Sequence, residues 1–169
     1  MNQKEIAVKM ILAAWQSGQE RIQKSLSVLS DEDMDLELAS GRNKVSWVIG
    51  HLAAVNDSLL PILGLGEKIN EDYYNYFTKN DAAIKSPSVS EMRNYWKETA
   101  SQLNKKFASL SADGWFEKHS LVSAEDFAKE PHRNKLNVLL SRSSHLQYHL
   151  GQLTFVLKSI ETKEKINHQ

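Results

Sequence analysis

Two histidines stand one helical turn apart in residues 134–160, NKLNVLLSRSSHLQYHLGQLTFVLKSI. At about 100° per residue, a helix over this segment gathers its leucines on one arc and places His145 and His149 on the arc beside it. Both imidazoles therefore face the packing side of the predicted helix. Such an i, i+4 pair can bind one divalent metal ion, because the two rings converge at the spacing of one turn.

The HxxxH pattern is weak evidence by itself, since a chain with six histidines often contains one by chance. This pair, however, borders the predicted core, where neutral imidazole nitrogens need partners. The segment therefore supports two interpretations. One is a metal site, and the other is a pair of hydrogen-bonded core histidines.

A third histidine, His51, lies in a second predicted helix, which we expect to begin at Ser46 as its N-cap and to end or bend at Pro61. His51 falls inside the apolar stripe of that helix. A single histidine there is more often a satisfied core residue than a ligand, but with His145 and His149 it completes the imidazole set that a metal site needs. Asp57 projects away from His51 on the same helix and is predicted to lie on the surface.

Two further helices complete the predicted architecture. The first covers residues 4–29, and the third begins after Pro87 with the capping box Ser88-x-x-Glu91. Residues 64–87 and 111–133 are predicted to be long connections. The first connection is rich in aromatic residues, which could form a pocket wall or cover one end of the core, and we favour the second role.

The composition favours an all-α protein with one domain over residues 1–169. Glycine and proline number only seven and three, and no repeat of 20–50 residues is visible. Four amphipathic helices with two long crossover connections predict a four-helix bundle, in which ligand sites are built from side chains that face the interior.

Charge and cysteine content exclude several classes of function. Twenty-one basic residues balance twenty-one acidic ones, so we expect no nucleic-acid or anionic-membrane partner. The chain has no cysteine, which excludes disulfides, thiolate metal sites and a cysteine nucleophile. No apolar run is expected to approach the roughly 18 residues of a membrane span. A cytoplasmic, soluble protein is the resulting expectation.

Two motifs, SWVIGHL at residues 46–52 and HLQYHLGQL at residues 145–153, resemble the DinB superfamily, which includes YfiT-type metal-dependent hydrolases and bacillithiol- or mycothiol-dependent enzymes. The resemblance extends along the whole chain in helix order and spacing. It implies a DinB/YfiT-type four-helix bundle, frequently a homodimer. It also implies that His51, His145 and His149 bind a divalent metal, with zinc or nickel expected and manganese or iron as alternatives.

The sequence departs from common family patterns at two positions. Leu146 follows His145 where many relatives have an acidic residue, and Leu150 follows His149 where a basic residue is frequent. These differences leave the catalytic acid and base unassigned. The absence of glutamate at position 146 also excludes an HExxH protease.

These residues lead to two hypotheses of different class. In the first, the protein is an enzyme acting on a small molecule, either a thiol S-transferase that uses a low-molecular-weight thiol or a hydrolase. In the second, it is a non-catalytic structural or stress-response binding module of the same fold. Four polar residues near the histidine face could orient ligands or substrate, although each is more commonly a surface or interface residue. They are Ser141, Arg142, Tyr148 and Gln152.

Overall fold

The structure, a computed structural model, describes the backbone of residues 2–79 and 81–167 and the side chains of residues 2–79 and 81–160. Within these ranges the regular elements are helices, and β pairing is limited to the isolated bridges Glu37–Lys44 and Lys118–Asn134. The predicted all-α class is confirmed. In chain order the helices are α1 (Gln3–Val28), α2 (Val45–Asp57), α3 (Leu59–Ile62), α4 (Glu71–Lys79), α5 (Val89–Ala108), α6 (Ala112–Trp115), α7 (Ala124–Lys129) and α8 (Lys135–Asn167).

The helix starts agree only in part with the sequence prediction. At α5 the capping box is confirmed, because Ser88 Oγ accepts from Glu91 N at 3.2 Å and Glu91 Oε2 accepts from Ser88 N at 2.7 Å. The predicted N-cap at Ser46 is wrong. Lys44 is the N-cap of α2 and has extended backbone angles, so the helix begins at the fully buried Val45 and includes Ser46 in its first turn.

The described core has two clusters: α1, α5 and α8 contribute to both, and α2 contributes to the first. The C-terminal half of α1 packs with α2, α4, the first half of α5, and α8 around Leu146 and Leu150. The first half of α1 packs with α3, α6, the end of α5 and the start of α8. Gly18 allows α1 to approach α8 closely, since a Cβ at this position would lie 2.6 Å from Leu146 Cδ2. The three candidate histidines lie at the level of the first cluster.

The connection between α2 and α5 is more regular than predicted. It contains the nine-residue helix α4, which packs along α2 and directs the buried Phe77 into the core. Tyr73 and Phe77 are spaced i, i+4, which is the helical signal that the sequence offered there. The aromatic residues therefore cover the core, which is the role that we favoured from the sequence. Tyr76 and Phe77 also line a surface pocket.

The prediction that Asp57 lies on the surface is wrong. Its side chain is fully buried and accepts hydrogen bonds from Tyr95 Oη at 2.7 Å, Ile69 N at 2.8 Å and Asn70 N at 3.1 Å. The wheel position of Asp57 relative to His51 was correct, but that face of α2 is covered by the connection and by α5. Three donors make the burial of this carboxylate tolerable, because buried polar groups need hydrogen-bond partners.

One segment corrects the expectation that no apolar run approaches the length of a membrane span. Val45–Ile62 has 18 residues with a mean hydropathy of 1.2, and 72% of it is buried inside the protein. It comprises α2, α3 and the residue between them. A mostly buried segment of this kind is typical of a core helix, so its apolar character is explained by packing.

Candidate metal centre

Helices α2 and α8 bring His51, His145 and His149 into one cluster. The ring centroid of His51 lies 5.3 Å from that of His145 and 5.4 Å from that of His149, and the last two are 4.6 Å apart. One ring nitrogen from each residue lies within 4.8 Å of the others. The structure thus brings His51 together with a pair of histidines that lies more than ninety positions later in the sequence.

A backbone hydrogen bond fixes the orientation of His51. Its Nδ1 lies 3.0 Å from the carbonyl oxygen of Phe77, and the ring stacks on Trp47 with a centroid distance of 5.0 Å and an angle of 8° between planes. A carbonyl can only accept, so Nδ1 carries the proton and Nε2 retains a free lone pair. Metal-ligating histidines are generally held in this way.

Gln152 provides the same support for His149. His149 Nδ1 lies 2.7 Å from Gln152 Oε1, and Gln152 Nε2 donates to the Tyr148 hydroxyl at 3.1 Å. The tyrosine contact is consistent with the orientation of the amide, which leaves the oxygen for the imidazole. His149 Nε2 is thereby left as the ligand atom, and it lies 3.1 Å from His145 Nε2.

All three imidazoles are held in the neutral form at neutral pH. Burial lowers the pKa of His51 and of His149. Burial, competition with the adjacent imidazoles of His149 and His51, and the Arg142 charge lower the pKa of His145 to about 4. Neutral imidazole is the form that coordinates metals. The ligands therefore do not have to lose protons before a metal binds at pH 7.

The donor set fits a borderline divalent metal. Two imidazole nitrogens on one tetrahedral zinc ion are about 3.3 Å apart, close to the 3.1 Å between His145 Nε2 and His149 Nε2. Imidazole donors suit zinc, nickel, copper and iron, whereas magnesium and calcium prefer oxygen ligands. In the described part of the chain, this is the one cluster of metal-ligating side chains that meets the distance requirement.

His119 and His132 lie apart from this cluster, as predicted. His119 accepts a hydrogen bond from Leu121 N at 3.2 Å through Nδ1, and His132 belongs to the segment before α8. His168 lies outside the described residues. Ser141, one of the four polar residues predicted near the histidine face, is exposed on α8.

A pocket of about 710 Å³ opens beside His149. Helix α8 forms one wall, and α2 and the loop before it form the other. The lining residues are Leu38, Ala39, Arg42, Asn43, Val48, Tyr148, His149, Gln152 and Phe155. The sequence prediction named Tyr148 and Gln152 but missed Arg42 and Asn43, because these loop residues belong to no periodic pattern.

Gly50 was also missed, although it positions His51 through Phe77. A Cβ at Gly50 would lie 2.1 Å from Phe77 Cζ, so Phe77 occupies the space that any larger residue would need. The Phe77 carbonyl is the partner of His51 Nδ1. The close approach of α2 and α4 at this glycine therefore supports the histidine cluster indirectly.

Gly50→Ala is expected to lower metal affinity by about 10- to 100-fold, because displacement of Phe77 disturbs the hydrogen bond that orients His51. It should also destabilise the fold by about 1–3 kcal/mol through overpacking. Calorimetric titration with zinc and thermal unfolding measure the two effects. Gly151→Ala is the matched control, since a Cβ there meets no atom within 4 Å. Equal zinc affinity in the two variants would contradict a supporting role for Phe77.

Comparison with known families agrees with the two sequence motifs. A family model described as the DinB superfamily matches residues 14–153, which include all three histidines, the pocket wall formed by α2 and most of the described part of α8. Comparison with individually curated proteins finds no significant match.

Proposed function

Because the chain belongs to the DinB superfamily, we propose that it is a divalent-metal-dependent enzyme that acts on a small molecule. The observation that carries this proposal is the convergence of three neutral imidazoles beside a pocket of about 710 Å³. A buried structural site would need no adjoining pocket. Zinc or nickel is the metal we favour, with manganese or iron as alternatives.

The proposed reaction is transfer of a low-molecular-weight thiol to an electrophile, and hydrolysis is the second candidate. A divalent metal at this site would supply Lewis-acid chemistry that lowers the pKa of a thiol or a water molecule. Thiol transfer is favoured by resemblance to thiol-dependent members of the family. The chain itself lacks cysteine, so the thiol would come from a cosubstrate.

The residues around the cluster would hold ligands and substrate rather than move protons. The Phe77 carbonyl and Gln152 fix two of the imidazoles, and both leave Nε2 free. Leu38, Val48 and Phe155 offer apolar contacts to a substrate in the pocket. The pocket lining contains no carboxylate, so a general acid or base is not assigned.

The architecture that we propose is the DinB/YfiT-type four-helix bundle made by α1, α2, α5 and α8, with crossover connections on either side of α5. We further propose a homodimer that forms through α1 or α5 and acts in the cytoplasm. The alternative function is a non-catalytic stress-response module, in which the metal only stabilises the bundle. The pocket beside His149 favours the enzyme over this alternative.

Two chromogenic assays distinguish the reactions. Metal-free protein and protein reloaded with zinc or nickel are tested for conjugation of cysteine to 1-chloro-2,4-dinitrobenzene and for hydrolysis of p-nitrophenyl acetate. We expect metal-dependent conjugation that is lost in His51→Ala and retained in His132→Ala. Metal-dependent ester hydrolysis alone would favour the hydrolase. Thermal stabilisation by metal without either activity, and without competition by small thiols, would support the binding module.

A further inference from the structure

Arg142 is a half-buried cation near the histidine cluster, and it has no counter-ion among the side chains that the structure describes. It precedes His145 by three residues on α8, so the two side chains are neighbours on the helix surface. The Arg142 Nε atom is buried and has no hydrogen-bond partner. Among the described residues, no carboxylate lies within ion-pair distance of this guanidinium. Charged groups that leave water are normally paired, because an unpaired buried charge is strongly unfavourable.

The ionisable neighbours of Arg142 are the Tyr74 phenol and the imidazoles of His51 and His145. Burial lowers the pKa of Arg142, and the Tyr74 phenol acts in the opposite direction. Lys68 Nζ lies 4.1 Å from the centroid of the Tyr74 ring, and Lys79 Nζ lies 5.7 Å from it. Lys68 is paired with Glu71 at 2.7 Å. For Lys79, no described carboxylate is within ion-pair distance. Lys79 and Arg142 thus both neighbour Tyr74, and neither has a described carboxylate within ion-pair distance.

A structural arginine in the same protein looks different. Arg93 donates to the carbonyl oxygens of Leu26 and Leu29 at 2.7 Å each and lies 3.3 Å from an Asp31 carboxylate oxygen. Its guanidinium ties the end of α1 to α5. Arg142 makes no comparable bond to a described residue, so its guanidinium keeps unused hydrogen-bonding capacity.

We propose that Arg142 binds the anionic group of the substrate, a carboxylate or a phosphate, next to the three-histidine site. The planar guanidinium matches both groups, which accept two parallel hydrogen bonds. A divalent metal would add further positive charge and strengthen the preference for an anion. Arg142 lies outside the lining of the pocket beside His149, and that lining includes Arg42 and no acidic residue. The inference rests on the proposed function for the position of the reacting centre.

The test uses cobalt(II)-loaded protein titrated with acetate and with inorganic phosphate, followed by the visible absorption of cobalt. Acetamide serves as the neutral probe. Arg142→Met is expected to weaken binding of the preferred anion by about 10- to 100-fold, the range for a lost charge-assisted hydrogen bond. Arg142→Lys should lose less, because it keeps the charge. The relative affinities of acetate and phosphate identify the anionic group.

Three controls make the result specific. Cobalt stoichiometry should be unchanged in Arg142→Met, and its midpoint of thermal unfolding should be equal to or above that of the wild type, because an unpaired charge is removed. Lys9→Met removes an exposed charge on α1 and should not alter anion affinity. Arg42→Met tests whether the pocket wall binds the anion instead.

Each contrary outcome has a separate meaning. Equal anion affinity in wild type and Arg142→Met, with cobalt bound by both, would overturn the role of Arg142 and leave the metal site intact. Loss of anion binding confined to Arg42→Met would also overturn it, as would a large fall in thermal stability that shows a structural role. Wild-type protein that binds no cobalt would contradict the proposed function and this inference together.

Discussion

Alanine in place of His149 is expected to lower the affinity for zinc by at least about a hundredfold, which calorimetric titration of the metal-free protein measures directly. The binding free energy of zinc at a structural site with four ligands is about 10–16 kcal/mol, so each ligand contributes about 3 kcal/mol of it. The effect should be large because His149 Nε2 faces His145 Nε2 at 3.1 Å and no described carboxylate is available as a substitute.

Two further variants give zinc affinities against which the loss in His149→Ala can be compared. Gln152→Ala removes the acceptor of the His149 Nδ1 proton but leaves all three imidazoles, so a smaller loss of about 10- to 100-fold is expected. His132→Ala removes a histidine outside the cluster and should bind zinc as the wild type does. If His132→Ala lost as much affinity as His149→Ala, the assigned ligand set would be wrong.

Asp57→Ala is expected to destabilise the protein by about 3–5 kcal/mol, because it leaves three buried donors without an acceptor. Those donors are the Tyr95 hydroxyl and the backbone N–H groups of Ile69 and Asn70. Burial and Asp57 together raise the pKa of Tyr95, so this phenol stays protonated and donates throughout the ordinary pH range. Urea denaturation followed by circular dichroism measures the change in the free energy of unfolding.

The controls for Asp57 separate its hydrogen bonds from its charge. Tyr95→Phe removes one donor and should destabilise by about 1–2 kcal/mol. Asp72→Ala removes an exposed carboxylate from the first turn of α4 and should change the free energy of unfolding by no more than about 1 kcal/mol. An Asp57→Ala variant as stable as Asp72→Ala would show that the buried network contributes little to the fold.

The sequence was sufficient to identify the long helices and all three clustered histidines. The apolar stripes of α1, α5 and α8 have a clear helical period, and in each the central members are buried. His51, His145 and His149 could be found because each lies on or beside such a stripe. Periodicity assigns a residue to a face of its own helix, and for these residues that face is the interior.

The contacts between helices could not be derived from periodicity. Asp57 lies on a face of α2 that a helical wheel assigns to solvent, and only the path of the connection and the position of Tyr95 show that it is covered. The proximity of Gly50 to Phe77 likewise depends on where α4 packs, and the sequence predicts an irregular connection in place of α4. The sequence places Arg142 near the histidine face, but only the packing of the neighbouring elements shows that no described carboxylate pairs with it.

The central claim, a divalent metal bound by His51, His145 and His149, is tested most directly by elemental analysis of protein purified without a metal-affinity tag. Wild type and His51→Ala are incubated with zinc and, separately, with nickel, then dialysed and measured for metal per chain. We expect about one equivalent of metal in the wild type and a strongly reduced content in the variant. Wild-type protein that retains no metal, or a variant that retains as much as the wild type, would contradict it.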